Sequence, residues 1–329
     1  MSRSLALRAG VVLLATLGAA LVTGCGGAPP DLPVRAPTPM VATAGVRHQT
    51  TTFEGVRGLT LFEQSWHPDG RPRGVVALVH GLKDHSDRYA GFAVRLAQRG
   101  YAVYALDLRG HGHSAGERVY IDSFDDYLGD LDVFLNRVRW REPHRPLFLF
   151  GHSMGGAIVT LYTIEESRED PPLAGLLLSG AALEADVSGV KVLGTKAVAD
   201  LSPHAGVFQL DLDDFSRDPK VVADGKADPL VYQEGAPART AKELLAAIDT
   251  IGTRMEDVRV PMLIMHGGAD RVTPPDGSRD LDRRAASTDK TLKIYDGLYH
   301  DLLHEPEHAQ VENDILDWLD RHAPATASK

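Results

Sequence analysis

Gly151-His152-Ser153-Met154-Gly155 follows directly on the apolar run Leu147-Phe148-Leu149-Phe150 and leads into a small-residue helical pattern. A strand that enters a helix through Gly-x-Ser-x-Gly must turn sharply, with the serine at the apex. Glycines on both flanks remove Cβ atoms that would collide there. The helix N-terminus that follows favours developing negative charge. These residue types suit attack by Ser153 on an acyl carbonyl. A serine hydroxyl is a poor nucleophile near neutral pH, so it needs a histidine base, and the base needs an acid to orient it. Behind a nucleophile elbow the acid and then the histidine follow in chain order, each after a later strand. Asp270, in His266-Gly267-Gly268-Ala269-Asp270, and His300, in Asp296-Gly297-Leu298-Tyr299-His300, fall at those two places.

Each member also has a plainer account. Asp270 could cap the helix that starts near Pro274-Pro275. Asp276 and Asp301 are competing acids, but neither sits at the end of the strand. His304, about one helical turn after His300, reads as a surface or rim residue, and His152 as packing at the elbow. The oxyanion needs two backbone donors, expected from the N–H groups of Met154 and Leu82; the latter follows His80-Gly81 after the third strand. The His80 side chain is given no chemical role. In Asp107-Leu108-Arg109-Gly110-His111-Gly112-His113-Ser114 the histidines alternate with glycine, which is tempting as a metal site. No second cluster has ligand spacing to it, so a hydrogen-bonded loop bracing the site is the better reading. The glycine-rich elements lack the Lys-Ser or Lys-Thr of a phosphate cradle. Neither metal nor cofactor is expected.

These groups need a scaffold that brings distant segments to one edge. Thr51-Phe53, Leu59-Phe62-Trp66, Val75 to Val79, Ala102 to Leu106, Leu147 to Phe150, Leu176 to Ser179, Met262 to Met265 and Leu292 to Tyr295 read as strands. Helical patterns lie between most of them. Such alternation implies right-handed crossovers and a mostly parallel sheet, here of eight strands flanked by helices. The alternation breaks at 182–258. There Leu244, Ile248, Ile251 and Met255 fall at helical spacing, as do Val190, Leu193 and Ala197. We expect a helical cap inserted into a core formed by 48–181 and 259–325.

The 329 residues, 43% of them hydrophobic, suffice for one large domain with an insertion. A net charge of −10 argues against a nucleic-acid partner. Arg3 and Arg8 flank the start of an apolar run, Ala9 to Val22, too short to span a bilayer comfortably. It ends in Val22-Thr23-Gly24-Cys25, which resembles the lipobox of bacterial lipoproteins, with Cys25 the lipidated residue. Cys25 is the only cysteine, so no internal disulfide can form. The expectation is a lipoprotein signal over 1–24 and a proline-rich flexible tether over 25–47. The protein would then be exported and lipid-anchored to the bacterial cell membrane, facing outward.

From about Thr50 onward the chain resembles the monoacylglycerol lipases, in the lysophospholipase and serine-aminopeptidase-like branch of α/β-hydrolases. The motifs that carry this are His80-Gly81-x-x-Asp84-His85-Ser86-x-Arg88-Tyr89, Asp107-x-Arg109-Gly110-His111-Gly112-x-Ser114-x-Gly116, Gly151 to Gly156, and Lys290 to His300. The resemblance implies an α/β-hydrolase fold and cofactor-free cleavage of a small amphiphilic glycerol ester with one acyl chain. The triad would be Ser153, Asp270 and His300, and Asp84 and Arg88 would lie near the polar head. A lysophospholipase or broad carboxylesterase would use the same triad. A non-catalytic lipid-binding lipoprotein is the reading from another class.

Overall fold

The computed structural model describes residues 38–43, 45–165, 172–185 and 189–323. The expected signal, Cys25 and the first part of the tether lie outside them. The strands are β1 (Thr38–Thr43), β2 (Val46–Glu54), β3 (Thr60–Pro68), β4 (Gly74–Val79), β5 (Tyr101–Leu106), β6 (Leu147–His152), β7 (Gly175–Ser179), β8 (Gly206–Phe208), β9 (Ala236–Pro237), β10 (Met262–Gly267) and β11 (Lys290–Tyr295). The helices are α1 (Ala90–Gln98), α2 (Asp125–Arg141), α3 (Met154–Glu165), α4 (Gly189–Leu201), α5 (Pro219–Ala227), α6 (Ala238–Arg254), α7 (Pro275–Arg284) and α8 (His308–His322).

The main sheet runs in the order β1-β2-β3-β5-β4-β6-β7-β10-β11. From β5 to β11 every pairing is parallel, and β1, β2 and β3 add an antiparallel wing. The expected eight-stranded sheet is present and gains a ninth strand, β1, inside the stretch read as tether. The reason is local. Pro39 speaks against a central strand, but it falls at a sheet edge, within the register irregularity between Thr38 and Val41, where proline is tolerated.

Residues of β4, β5, β6, β7 and β10 are buried at every position, because helices cover both faces. Phe134 of α2, Ile158 of α3 and Ile251 of α6 pack in one apolar cluster with Leu281 of α7. Phe92 and Leu96 of α1 form the other with Ile315 and Trp318 of α8. Each such side chain contributes about 1.5–3 kcal/mol on full burial.

Residues 182–258, expected to be a helical insertion, hold α4, α5 and α6 but also a short ladder. Gly206 and Phe208 pair antiparallel with Pro237 and Ala236. A two-residue strand is too short to leave an alternating pattern in the sequence. One face of α6 joins the core through Ala247 and Ile251, which leaves Leu244, Leu245 and Ile248 toward a cavity above the sheet.

Candidate active site

Ser153 is the residue between β6 and α3, with φ of +54°. Non-glycine residues avoid this region, and its use marks the strained turn that the glycine pattern predicted. A Cβ on Gly155 would stand 2.3 Å from the Val79 carbonyl, so that position requires glycine, and one on Gly81 would press on Ser153 Cβ at 3.0 Å. The turn is tied down by Ser153 N–H donating to the Ser179 carbonyl at 3.0 Å and by Ala182 N–H donating to the Ser153 carbonyl at 3.0 Å.

Asp270 follows β10, and its side chain is fully buried. Its Oδ2 lies 2.8 Å from His300 Nδ1. The Val272 and Thr273 N–H groups donate to Oδ1 at 2.7 and 3.0 Å. Burial works to raise this carboxyl, but the charge of His300 and hydrogen bonds from His266 and His300 outweigh it and hold Asp270 well below the usual range. Of the competing acids, Asp276 is exposed and paired with Arg279, while Asp301 is buried against Arg88 and His304.

His300 is buried under the cap. The Phe215 ring meets it edge-on at 5.1 Å, and the His152 ring lies 4.8 Å away. Its Nε2 has no hydrogen-bond partner, so the Ser153–His300 hydrogen bond expected from the sequence is not formed here. Such bonds are often loose before substrate engages and tighten with it. His152 donates its ring to no chemistry: Nδ1 meets the Ser179 carbonyl at 3.0 Å, and burial, then the neighbouring His300, lowers its pKa to about 4.

Ser153, Leu82 and Met154 border one cavity of about 240 Å³, whose far wall is Leu210, Leu244 and Ile248. The two expected oxyanion donors thus belong to residues beside the nucleophile. His80 accepts from Leu108 N–H through Nε2 at 3.0 Å and meets the Gly81 carbonyl through Nδ1 at 2.7 Å. That fixes its tautomer and braces the loop before Leu82. Asp107 does similar work, accepting from Ser86 and His113 N–H at 2.7 Å each. Among the described residues no group of three or more His, Cys, Asp or Glu is arranged to hold a metal ion.

Asp84 and Arg88 do not border the Ser153 cavity. With Leu82 and Phe215 they line a small neighbouring cleft. Arg88 donates to Asp84 Oδ1 at 3.1 Å and to Asp301 Oδ2 at 2.8 Å, and Tyr89 O–H donates to Asp84 Oδ2 at 2.8 Å. His304, expected at a surface or rim, is drawn into this network. Its Nδ1 is 2.8 Å from Asp301 Oδ1 and its Nε2 2.9 Å from the Arg88 carbonyl. Attraction to Asp301 outweighs burial and raises its pKa. The network ties the loop after β4 to the loop carrying His300. Sequence reasoning missed this tie, together with Thr273, Phe215 and His266. Only His266 left a trace, as the last polar residue of its strand.

A family model described as "Serine aminopeptidase, S33" matches residues 70–307. The chain is 39% identical over 285 residues to the monoacylglycerol lipase of Mycolicibacterium smegmatis, covering 86% of this chain and 100% of that one. It is 34% identical over 262 residues to the monoglyceride lipase of Rattus norvegicus, covering 79% and 85%. The crystal structure of Paleococcus ferrophilus monoacylglycerol lipase superposes with a TM-score of 0.71 at 30% identity, covering 80% of this chain and 99% of that one.

Proposed function

The chain belongs to the serine aminopeptidase S33 family and has the α/β-hydrolase fold, and on that footing we propose that it cleaves monoacylglycerols to fatty acid and glycerol through Ser153, Asp270 and His300. It is a carboxylic ester hydrolase, as are the lipases to which it is similar. The observation that supports the triad assignment is the 2.8 Å contact of buried Asp270 with His300, taken together with a serine held at the apex of the elbow.

Ser153 attacks the ester carbonyl while His300 Nε2 takes its proton. Asp270 keeps the other ring nitrogen protonated and stabilises the imidazolium. The N–H groups of Leu82 and Met154 hold the oxyanion. His300 then protonates the departing glycerol, and water releases the fatty acid by the same route. The apolar wall from α6 takes the acyl chain, since an alkyl tail gains by leaving water there.

The same reading makes Cys25 the lipidated N-terminus of an exported, membrane-anchored enzyme. The support is the Arg-flanked apolar run, the Val22-Thr23-Gly24-Cys25 end and the absence of any other cysteine. An anchored enzyme meets its amphiphilic substrate where that substrate is concentrated.

The test is a panel of monoacylglycerols, diacylglycerols, lysophospholipids and aminoacyl amides, run on wild type and Ser153→Ala. Monoacylglycerol should be turned over fastest, and Ser153→Ala should lose on the order of 10⁶ in kcat. Appreciable hydrolysis by Ser153→Ala would remove the assignment. Mass spectrometry of the mature N-terminus reads the anchor.

A further inference from the structure

Asp270 is held by two imidazoles. His300 approaches Oδ2 at 2.8 Å, and His266 brings Nε2 to 3.0 Å from the same oxygen. His266 lies in β10, four residues before Asp270, and is fully buried. Its Nε2 also meets the Thr273 carbonyl at 3.1 Å. The carbonyl and the carboxylate can only accept, so Nε2 carries the proton. Nδ1 stands 2.8 Å from the hydroxyl of Ser278, in α7, so the ring is held at both edges. Thr273 completes the enclosure, with Oγ1 3.0 Å from Asp270 Oδ2 and 3.0 Å from the Gly180 carbonyl.

We propose that His266 is a positioning residue of the triad, donating to Asp270 so that the carboxylate keeps both its aim and its basicity toward His300. The proposal rests on the triad reading above. His266 does not border the Ser153 cavity. Without its N–H the carboxylate loses a donor on Oδ2, while the Val272 and Thr273 N–H groups still hold Oδ1. A carboxylate with one donor fewer is also more basic, so it grips the imidazolium harder and moves the acid limb of the rate profile upward.

Other charged groups near the pair are accounted for. His152 faces the His300 ring, and Asp301 follows it in the chain, paired with Arg88 and His304. Asp84 lies behind Arg88. Arg271, beside Asp270, pairs with Asp214 and stacks on Tyr299. Glu184 borders the cavity, and Asp276 of α7 pairs with Arg279. Apart from Asp270, the hydrogen bonds of His266 run to the uncharged Ser278 and Thr273, so a moved acid limb reports on Asp270.

The test follows p-nitrophenyl ester hydrolysis across about pH 5 to 9 for wild type, His266→Leu and His266→Gln. His266→Leu should lose about 10- to 100-fold in kcat with KM within about threefold. Its acid limb should rise by about half a unit. His266→Gln retains an N–H donor and should recover most of the rate and the wild-type limb. Wild-type kcat in His266→Leu, or a loss with the acid limb unmoved, overturns the proposal. If His266→Leu does not fold, His266→Asn carries the same test, because its shorter amide can meet Ser278 but leaves Asp270 without the donor. A drop of about fivefold is expected, and an unchanged rate and limb overturns. Fluorophosphonate labelling of wild type separates the two failures. An unlabelled, inactive wild type removes the triad reading, whereas an active, labelled wild type with an indifferent His266→Leu removes only this inference.

Discussion

Gly180 lies directly against His300. A Cβ on Gly180 would stand 2.9 Å from the His300 carbonyl oxygen and 3.2 Å from Nδ1, and the residue has φ of +52°. The end of β7 thus forms the seat on which the imidazole rests. Gly180→Ala should push the ring away from its place. Displacements near 1 Å lower rates by about 10²-fold, so kcat should fall by about that factor. The left-handed backbone adds strain of about 1–2 kcal/mol. Comparing kcat with the thermal midpoint checks this: an alanine variant with full activity and only lowered stability would contradict the seat.

Asp270→Asn keeps the shape of the acid and removes its charge. The amide can present N–H to His300 Nδ1, which then holds its proton on Nε2, the wrong nitrogen for a base. We expect a loss of about 10⁴ in kcat with little change in KM. Steady-state kinetics at saturating ester measures it.

Leu244 and Ile248, one helical turn apart on α6, border the far wall of the cavity. Leu244→Trp fills space that an alkyl chain would occupy. Activity on long acyl chains should fall by about tenfold or more relative to short ones, since each lost methylene contact is worth about 0.8 kcal/mol. Rates on a chain-length series of monoacylglycerols test this, and an unchanged preference would move the acyl channel elsewhere.

His152 bears on stability in acid. Its folded pKa, lowered to about 4, lies below the unfolded value near 6.5. A depressed group gives stability that is whole above the unfolded pKa and is lost as pH falls through the folded one. The window is therefore about pH 6.5 down to 4, and the linkage amounts to about 3 kcal/mol. Buried His80 and His111 shift in the same direction. Below that window Asp84, Asp270 and Asp301, all depressed, add their own losses. The thermal midpoint should drop steadily across the histidine window, and His152→Gln should make that drop shallower. An identical slope would mean that His152 titrates normally.

Much of this molecule was legible in the chain. The elbow announces itself because Ser153 needs small neighbours on both sides and an apolar strand before it, and all of those are local. Asp270 and His300 were found by their places at the ends of β10 and β11, since parallel strands with crossovers deliver their C-terminal ends to one edge. Strand β1 was hidden because a proline at an edge and a proline in a tether look alike. The β8–β9 ladder was hidden because two residues carry no period.

The sequence by itself pointed to the groups proposed for the chemistry and to the scaffold that gathers them, because the serine, the acid and the histidine each follow a strand of the right kind. Only the tertiary structure decided what holds those groups still. His266 against Asp270, Gly180 under His300, Phe215 over it, and Arg88 between Asp84 and Asp301 are contacts between segments far apart in the chain. Their spacing along the polymer carries no signal, since a hydrogen bond or a ring contact depends on distance in space and not on separation in sequence.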